Sequence, residues 1–400
     1  MASANMAVGC WIAANEQRGR TYLALVRKNS CFCFVLLLFF CTFAAMKEEK
    51  RCWRLPAEWE PQSGVQLTWP HAGTDWAPML GEVVATFEEM AREIGKREAL
   101  LVVGPPSNDT WARDHGFITL TDDLPIDDLR FTDLRLDSPE GKEGRSQIVN
   151  GQSVNRKLLD FGFNGWGEKF PAELDNAINR RLYDDGSVSG EYVDHLDFVL
   201  EGGSIESDGR GTILTTSSCL LAPRRNQPLT REQIEERLKD YLCAERVLWI
   251  DHGRLAGDDT DGHIDTLVRM APGDTLLYTG CDDPQDEHFD ELRRMEEQLA
   301  SLRTLDGRPY RLLRLPLPRP IFDEEGERLP ATYANFLVVN GAVLCPTYAQ
   351  PNLDRQALAI IGQAFPGRDV VGIDCRPLIR QHGSLHCCTM QFPEGVLNKV

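Results

Sequence analysis

Four short polar islands, each at the end of an apolar run, hold the residues of this chain that could do chemistry. They are Asn108-Asp109-Thr110-Trp111-Ala112-Arg113-Asp114, Glu201-Gly202-Gly203, Gly262-His263-Ile264-Asp265 and Gly383-Ser384-Leu385-His386-Cys387-Cys388-Thr389. A cysteine thiolate is an intrinsically strong nucleophile, and neighbouring positive charge, including a bound cation, favours it. Cys387 and Cys388 are adjacent, so in extended backbone they point to opposite faces and only one enters a given pocket. His263 suits a general acid and base, with Asp265 two residues on and on the same face of a strand. Glu201 precedes two glycines that permit tight turning or close approach of a ligand, and its carboxylate could orient an imidazole and raise its basicity. Asp114 and Asp265 make the pair of carboxylates that a guanidinium, with its planar paired N–H donors, fits bidentately. Trp111 could wall such a pocket or pack in the core.

Each of these residues also has an ordinary reading. A buried cysteine is commonly inert, Glu201 could be a turn residue, His263 could sit satisfied at a strand start, and Asp114 could pair with Arg113. Asp261 and Asp265 invite a metal, but no second histidine stands at ligand spacing, so none is expected. Taken together, one cysteine, one histidine and three carboxylates suit covalent chemistry on a small guanidinium cation.

The elements that position these islands repeat in order without repeating residues. Ser204–Glu206 and Gly211–Thr215 read as strands, Thr230 caps an amphipathic stretch to Tyr241, and Arg246–Ile250 is a buried strand. His263–Val268, Thr275–Tyr278, a helix from Pro284 to Leu302 and Tyr310–Leu315 give the same order. So do Asn335–Val339, the Asn340-Gly341 turn, Ala342–Cys345, helix 352–364 and Asp369–Ile373. Val65–Trp69, helix 81–95 and Leu100–Gly104 form one partial unit, and Phe117–Leu134 opens another. Starts about 60 to 70 residues apart point to a radial or stacked array, here of about five ββαβ blades with polar strand ends facing a shared axis. Parallel doubly wound sheets would not contain these hairpins.

Composition narrows the class. The net charge is −18, and residues 1–45 carry four basic residues against one acid, so the acidity lies in the body. Such a body repels nucleic acid and anionic membrane and attracts a small cation. Four of the twelve cysteines (Cys10, Cys31, Cys33, Cys41) precede Met46, and the rest show neither disulfide spacing nor a CxxC pair, which points to a reduced, cytoplasmic body. The run Cys31–Met46 follows Arg27-Lys28 and reads as a signal or anchor segment, which would make the protein exported, or as an extension upstream of a start at Met46. The expected organisation is thus an extension over 1–45 and one catalytic domain over 46–400, in a chain that is free to form a homo-oligomer.

The motifs NDTWARDHG, EGGSIESDGRGTILTT, DDTDGHID and GSLHCCTMQFP, in this order from about Arg54 to Pro393, resemble agmatine deiminases of the guanidine-modifying superfamily, whose wider group includes bacterial peptidylarginine deiminases. The resemblance implies a five-bladed α/β propeller of ββαβ units, Cys387 as nucleophile, His263 as acid and base, Glu201 as its partner, Asp114 and Asp265 as guanidinium carboxylates, and Trp111 in the substrate site. It also implies conversion of agmatine and water to N-carbamoylputrescine and ammonia through an amidino-cysteine, with no cofactor. His382-Gly383-Ser384 replaces a glycine-rich approach, and Cys388 a larger apolar residue. A peptidylarginine deiminase, an enzyme acting on free arginine and a non-catalytic guanidino-compound binder are the rival readings; a papain-like protease would not need paired carboxylates.

Overall fold

The computed structural model describes residues 53–122 and 155–398. The readings of residues 1–45, and of the chain from 123 to Leu134, lie outside the described residues. Among the described residues no helix is long and apolar enough to cross a membrane.

Val83, Phe87, Met90 and Ile94 recur every three or four residues, so Leu80–Gly95 folds as helix α1 with these side chains buried. Each such side chain taken out of water contributes about 1.5–3 kcal/mol. The helix returns the chain to the edge it left, so Gln62–Thr68 (β1) and Ala99–Val103 (β2) pair in parallel. Four more units follow. They are β3 (Ile118–Thr121), β4 (Arg156–Gly162), α2 (Glu173–Asp184) and β5 (Glu191–Val199); β6 (Ile205–Ser207), β7 (Thr212–Thr216), α3 (Arg231–Leu242) and β8 (Arg246–Ile250); β9 (Val268–Ala271), β10 (Thr275–Gly280), α4 (Phe289–Ser301) and β11 (Arg311–Pro316); and β12 (Leu337–Val339), β13 (Ala342–Thr347), α5 (Pro351–Ala364) and β14 (Asp369–Asp374). In every one of these four units the first two strands are antiparallel and the last two parallel.

The partial first unit is completed from the far end of the chain. Thr389–Pro393 (β15) pairs antiparallel with β1, so the sheet order is β15-β1-β2 and the ring is fastened by joining its two ends. The result is five three-stranded ββαβ sheets, a five-bladed propeller. Thr230 and Gln233 form the capping box that starts α3, and Gly341 turns the β12–β13 hairpin at φ +76°.

Two local readings are corrected. Residues 264–266 form a 3₁₀ turn rather than strand, and β9 begins only at Val268, because Thr260 Oγ1 and Asp258 hold the preceding loop closed through the backbone N–H groups of His263 and Gly262. Helix α4 starts at Phe289 rather than Pro284; a turn through Asp286 and His288 precedes it.

At the centre the inner strands are held by one buried guanidinium. Arg269 on β9 donates through Nη2 to Glu58 Oε2 at 2.7 Å, through Nε to Glu206 on β6, and through Nη1 to the carbonyls of Ala334 and Phe336 ahead of β12. Its guanidinium carbon lies 4.4 Å from the centroid of the Phe336 ring. Glu206 Oε2 in turn accepts from Met270 N, and Glu58 Oε1 accepts from Val338 N. Replacing Arg269 with Met would leave the buried Glu206 and the largely buried Glu58 carboxylates without their shared cation, a loss of about 3–5 kcal/mol. We expect a correspondingly lower urea midpoint for Arg269→Met, partly recovered by adding Glu206→Gln. A loss below about 1 kcal/mol would contradict this account of the centre.

Candidate active site

The residues singled out in the sequence stand at one recurrent place, the few positions before the innermost strand of each blade. Asp114 precedes β3, Glu201 and Gly203 precede β6, His263 and Asp265 precede β9, and Cys387 precedes β15. The fifth such position, before β12, is Asn335.

Gly203 marks the point of convergence. A Cβ built there would lie 2.6 Å from His263 Nδ1, 2.9 Å from Asp114 Oδ1 and 3.2 Å from Asp265 Oδ2. Only glycine lets three functional side chains approach the backbone so closely. Its N–H donates to Asp114 Oδ1 at 3.2 Å, and His263 Nδ1 is 3.6 Å from the same oxygen. Asp114 Oδ2 accepts from Trp166 Nε1 at 2.9 Å. Asp114 therefore pairs not with Arg113, the ordinary reading, but with groups of the site. Arg113 turns instead toward Glu58 and Glu206, lining a separate cavity of about 70 Å³ with His386; none of Cys387, His263, Asp114 and Asp265 lines that cavity.

Cys387 lies in a turn rather than in extended chain, yet the two cysteines still part company. Cys387 Sγ accepts from Asn335 Nδ2 at 3.3 Å and lies 3.9 Å from Asp265 Oδ2. Asn335 Oδ1 accepts from His386 N at 2.9 Å, so the one amide fixes both the thiol and the turn that carries it. Cys388 is buried toward Cys375, Asp109 and Thr110. Asp265 is aimed from behind: its Oδ2 is 2.7 Å from His386 Nδ1, and His386 Nε2 is 2.8 Å from Glu58 Oε2. Asp265 Oδ1 has no hydrogen-bond partner among the described residues.

Glu201 is wholly buried. Its Oε1 accepts from Arg225 Nε at 2.6 Å, and Arg225 continues to Asp261 Oδ2 at 2.8 Å. The second oxygen, Oε2, has no hydrogen bond among the described residues, and the carboxylate faces the region of His263. Trp111 packs in the core: its ring is 5.5 Å from that of Trp76, and a Cβ at Gly383 would meet it at 2.2 Å. It thus shapes the loop leading to Cys387, while the indole bonded to Asp114 belongs to Trp166. Trp166 is held in a left-handed conformation (φ +57°) between Gly165 and Gly167 and packs edge-on to Phe163 and Phe170.

The electrostatics are uneven by construction. Burial raises Asp114 to about 6, against the pull of His263, and the nearby Asp265 adds to the rise. Asp265 is equally buried, yet the hydrogen bond and charge of His386 hold it below the usual carboxylate range. Burial opposes the charged form of His263, but Asp114, Cys219 and Glu201 outweigh it and raise the imidazole well above its ordinary value. Burial, then Asp265 and Asp114, push the Cys387 thiol well up. Without a ligand the thiol stays protonated. A cation lying between Asp114 and Asp265 cancels the two charges that oppose its ionisation.

Sequence reasoning missed Asn335, Trp166, Glu58, Arg269 and His386. For Asn335 a signal existed, its place in the repeat; for Trp166 the FNGWG run of glycines hinted at a special backbone.

Fold and site together are those of the guanidine-modifying enzymes. The model of the Porphyromonas-type peptidyl-arginine deiminases matches residues 54–393, and the chain belongs to that family. It is 31% identical to an agmatine deiminase of Pseudomonas aeruginosa, over 85% of this chain and 95% of the relative. A crystal structure of a provisionally named arginine deiminase from Porphyromonas gingivalis is 46% identical, with a TM-score of 0.75 over 86% of this chain and all of that one. A cysteine-to-serine variant of the C. jejuni agmatine deiminase, solved with substrate bound, is 33% identical, with a TM-score of 0.73 over 86% of this chain and 97% of that one.

The two cysteines should differ in reactivity. We expect a cationic chloro-amidine to alkylate Cys387 far faster than neutral iodoacetamide does at neutral pH, with peptide mapping placing the label on Cys387. Equal rates for the two reagents, or a label on Cys388, would contradict the charge arrangement described.

Proposed function

We propose that this chain is an agmatine deiminase that hydrolyses the guanidinium through a covalent amidino-cysteine. The observation that carries this reading is the convergence on Gly203 of Asp114, Asp265 and His263, with Cys387 Sγ 3.9 Å from Asp265. Asp114 and Asp265 hold the planar cation, each presenting an oxygen toward it. Its charge favours ionisation of the Cys387 thiol, whose proton passes to solvent, and the thiolate adds to the guanidinium carbon to form a C–S bond. His263, kept protonated by its carboxylate neighbours, gives a proton to the departing nitrogen, and the C–N bond breaks to release ammonia. The imidazole, now neutral, takes a proton from water as it attacks the same carbon. The C–S bond then breaks as the adduct's hydroxyl proton passes to the departing sulfur, leaving N-carbamoylputrescine and restoring the thiol and imidazolium. Glu201, fixed by Arg225, supports the charged imidazole, and Asn335 aims the thiol. Side chains and the attacking water supply the protons of this cycle, and no step of it calls for a cofactor.

The near closure of the site supports a small amine over a peptide. Asp114, Glu201, His263, Asp265 and Cys387 are each at most 4% exposed. The names of the Pseudomonas and C. jejuni relatives favour agmatine. The second reading, arginine free or in peptides, is favoured by the family description and by the 46% identity to the Porphyromonas structure. A single domain over 46–400, a cytoplasmic location, and independence of nucleic acid and membrane belong to the same proposal.

The test is release of ammonia and a ureido product by the full chain from agmatine, free arginine and an arginyl peptide. Agmatine should be turned over best. Cys387→Ser should lower the rate by at least about a thousandfold, and Asp114→Asn or Asp265→Asn by about a hundred- to a thousandfold, whereas Cys388→Ser should leave it within a few-fold. Preferred turnover of the peptide would replace agmatine as substrate, and full activity in Cys387→Ser would end the covalent mechanism.

A further inference from the structure

One buried nucleophile close to the site has no part in the reaction just described. Cys219 lies on the short helical turn Ser217–Leu220 that follows β7, and its backbone N–H is capped by Thr216 Oγ1 at 3.3 Å. Its sulfur, a ring nitrogen of His263 and a carboxylate oxygen of Glu201 all lie within 4.8 Å of one another. All three side chains are fully buried, and Cys219 is a free thiol. Glu201 Oε2 makes no hydrogen bond among the described residues, and the Cys219 thiol is the hydrogen-bonding neighbour of the His263 ring.

One sulfur, one nitrogen and one oxygen are the donor set of a tetrahedral zinc site with an open fourth position. Binding releases the protons of Cys219 and His263; the thiolate, carboxylate and neutral imidazole then sum to the charge that a divalent cation neutralises, which suits a buried place. Softness selects the ion: a thiolate with an imidazole prefers zinc or cobalt to magnesium or calcium. The supporting groups are also in place. Arg225 fixes Glu201 through Oε1 and leaves Oε2 free, and Asp114 Oδ1 stands 3.6 Å from His263 Nδ1, leaving Nε2 for an ion. A carboxylate behind a ligating histidine, and a second partner on a ligating carboxylate, orient such ligands in metal sites. Bond lengths of about 2.0–2.3 Å put tetrahedral donors about 3.3–3.6 Å apart, so the three side chains must close by roughly an ångström.

We propose that Glu201, Cys219 and His263 form a binding site for a thiophilic divalent cation of the zinc class, and that its occupation switches the enzyme off. Binding itself depends only on this geometry; the inhibition rests on the deiminase reading, because the ion takes the nitrogen and carboxylate that serve proton transfer. The site differs from one at the nucleophile, since Cys387 is not among its donors.

The probe is Co²⁺ added to the full chain, read by absorption. We expect one equivalent to give the near-ultraviolet sulfur-to-cobalt charge-transfer band and the visible bands of tetrahedral cobalt, with Zn²⁺ displacing it. Both features should vanish in Cys219→Ser and persist in Cys387→Ser, with circular dichroism showing that each variant is folded. Glu201→Gln, which keeps the thiol, should retain the sulfur band while weakening Zn²⁺ binding at least about tenfold. In the active enzyme, Zn²⁺ should inhibit, and Cys219→Ser should raise the inhibitory concentration at least about tenfold. Bands that survive in Cys219→Ser and vanish in Cys387→Ser would overturn the proposal by placing the ion on the nucleophile, and so would the absence of any thiolate band. Bands at Cys219 in a protein that turns over no guanidine would uphold the site and defeat the deiminase reading instead.

Discussion

Everything at the axis of this propeller depends on how the charge of Arg269 is shared. Its guanidinium reaches Glu58 ahead of β1, Glu206 on β6 and the backbone ahead of β12, so one side chain on β9 ties together three other blades. Burying a guanidinium and two carboxylates is costly, and the cost is met only because nearly every donor and acceptor finds a partner. The same network continues through His386 to Asp265. Structural and functional electrostatics are thus one system. Glu58 stays charged although buried because Arg269 and His386 outweigh its desolvation, and Asp265 is held low for a kindred reason.

Set against this, Asp114 has no cation of its own beyond His263, and burial lifts it to about 6. The two carboxylates that flank the thiol are therefore differently prepared. One is locked in its ionised form by the central network, and the other has only His263 for counter-charge until a ligand adds its own. A planar cation between them offsets the desolvation of Asp114 and removes the repulsion that, added to burial, keeps Cys387 protonated. Recognition and activation of the nucleophile then become a single event, which explains why a thiol so far from its ionised form can sit in a site built for nucleophilic attack. It also limits stray oxidation, since the resting thiol has little thiolate character.

The strand and helix order was readable because each blade alternates short apolar runs with one amphipathic helix, a pattern that periodicity detects. The second blade was largely illegible: the strand after Phe117 opened it, but β4, α2 and β5 follow the segment 123–154 and were not placed. The closing strand β15 was hidden for another reason. Its partner β1 lies at the other end of the chain, and no local pattern encodes so distant a pairing. Within the site, the residues flanked by glycine were visible because glycine next to a charged residue is unusual enough to notice. Glu58 and Arg269 were not, since a buried ion pair and a surface one look alike in sequence. The strand reading of His263–Val268 failed because the hydrogen bonds that Asp258 and Thr260 make within the loop outweighed the β-propensity of the residues that follow.

Even the polar motif around Asp114 divides between scaffold and chemistry. Asn108 Oδ1 accepts from Leu174 N at the start of α2, and Asp109 Oδ1 accepts from Trp76 Nε1 and Thr110 N. These residues fasten the loop so that Asp114, five positions on from Asp109, faces the axis. A chain that presents one functional side chain before the inner strand of each blade needs five such fastened loops. In that register Asn335 is the counterpart of Asp114, Gly203, Asp265 and Cys387, and its amide bonds to the thiol and to the turn carrying it. Its importance could have been inferred from phase alone, because a repeat fixes where a blade presents its contribution even when residue type does not. Pseudo-symmetry is therefore more than a feature of the fold here: it gives a rule for locating site residues whose chemistry is too quiet to announce itself.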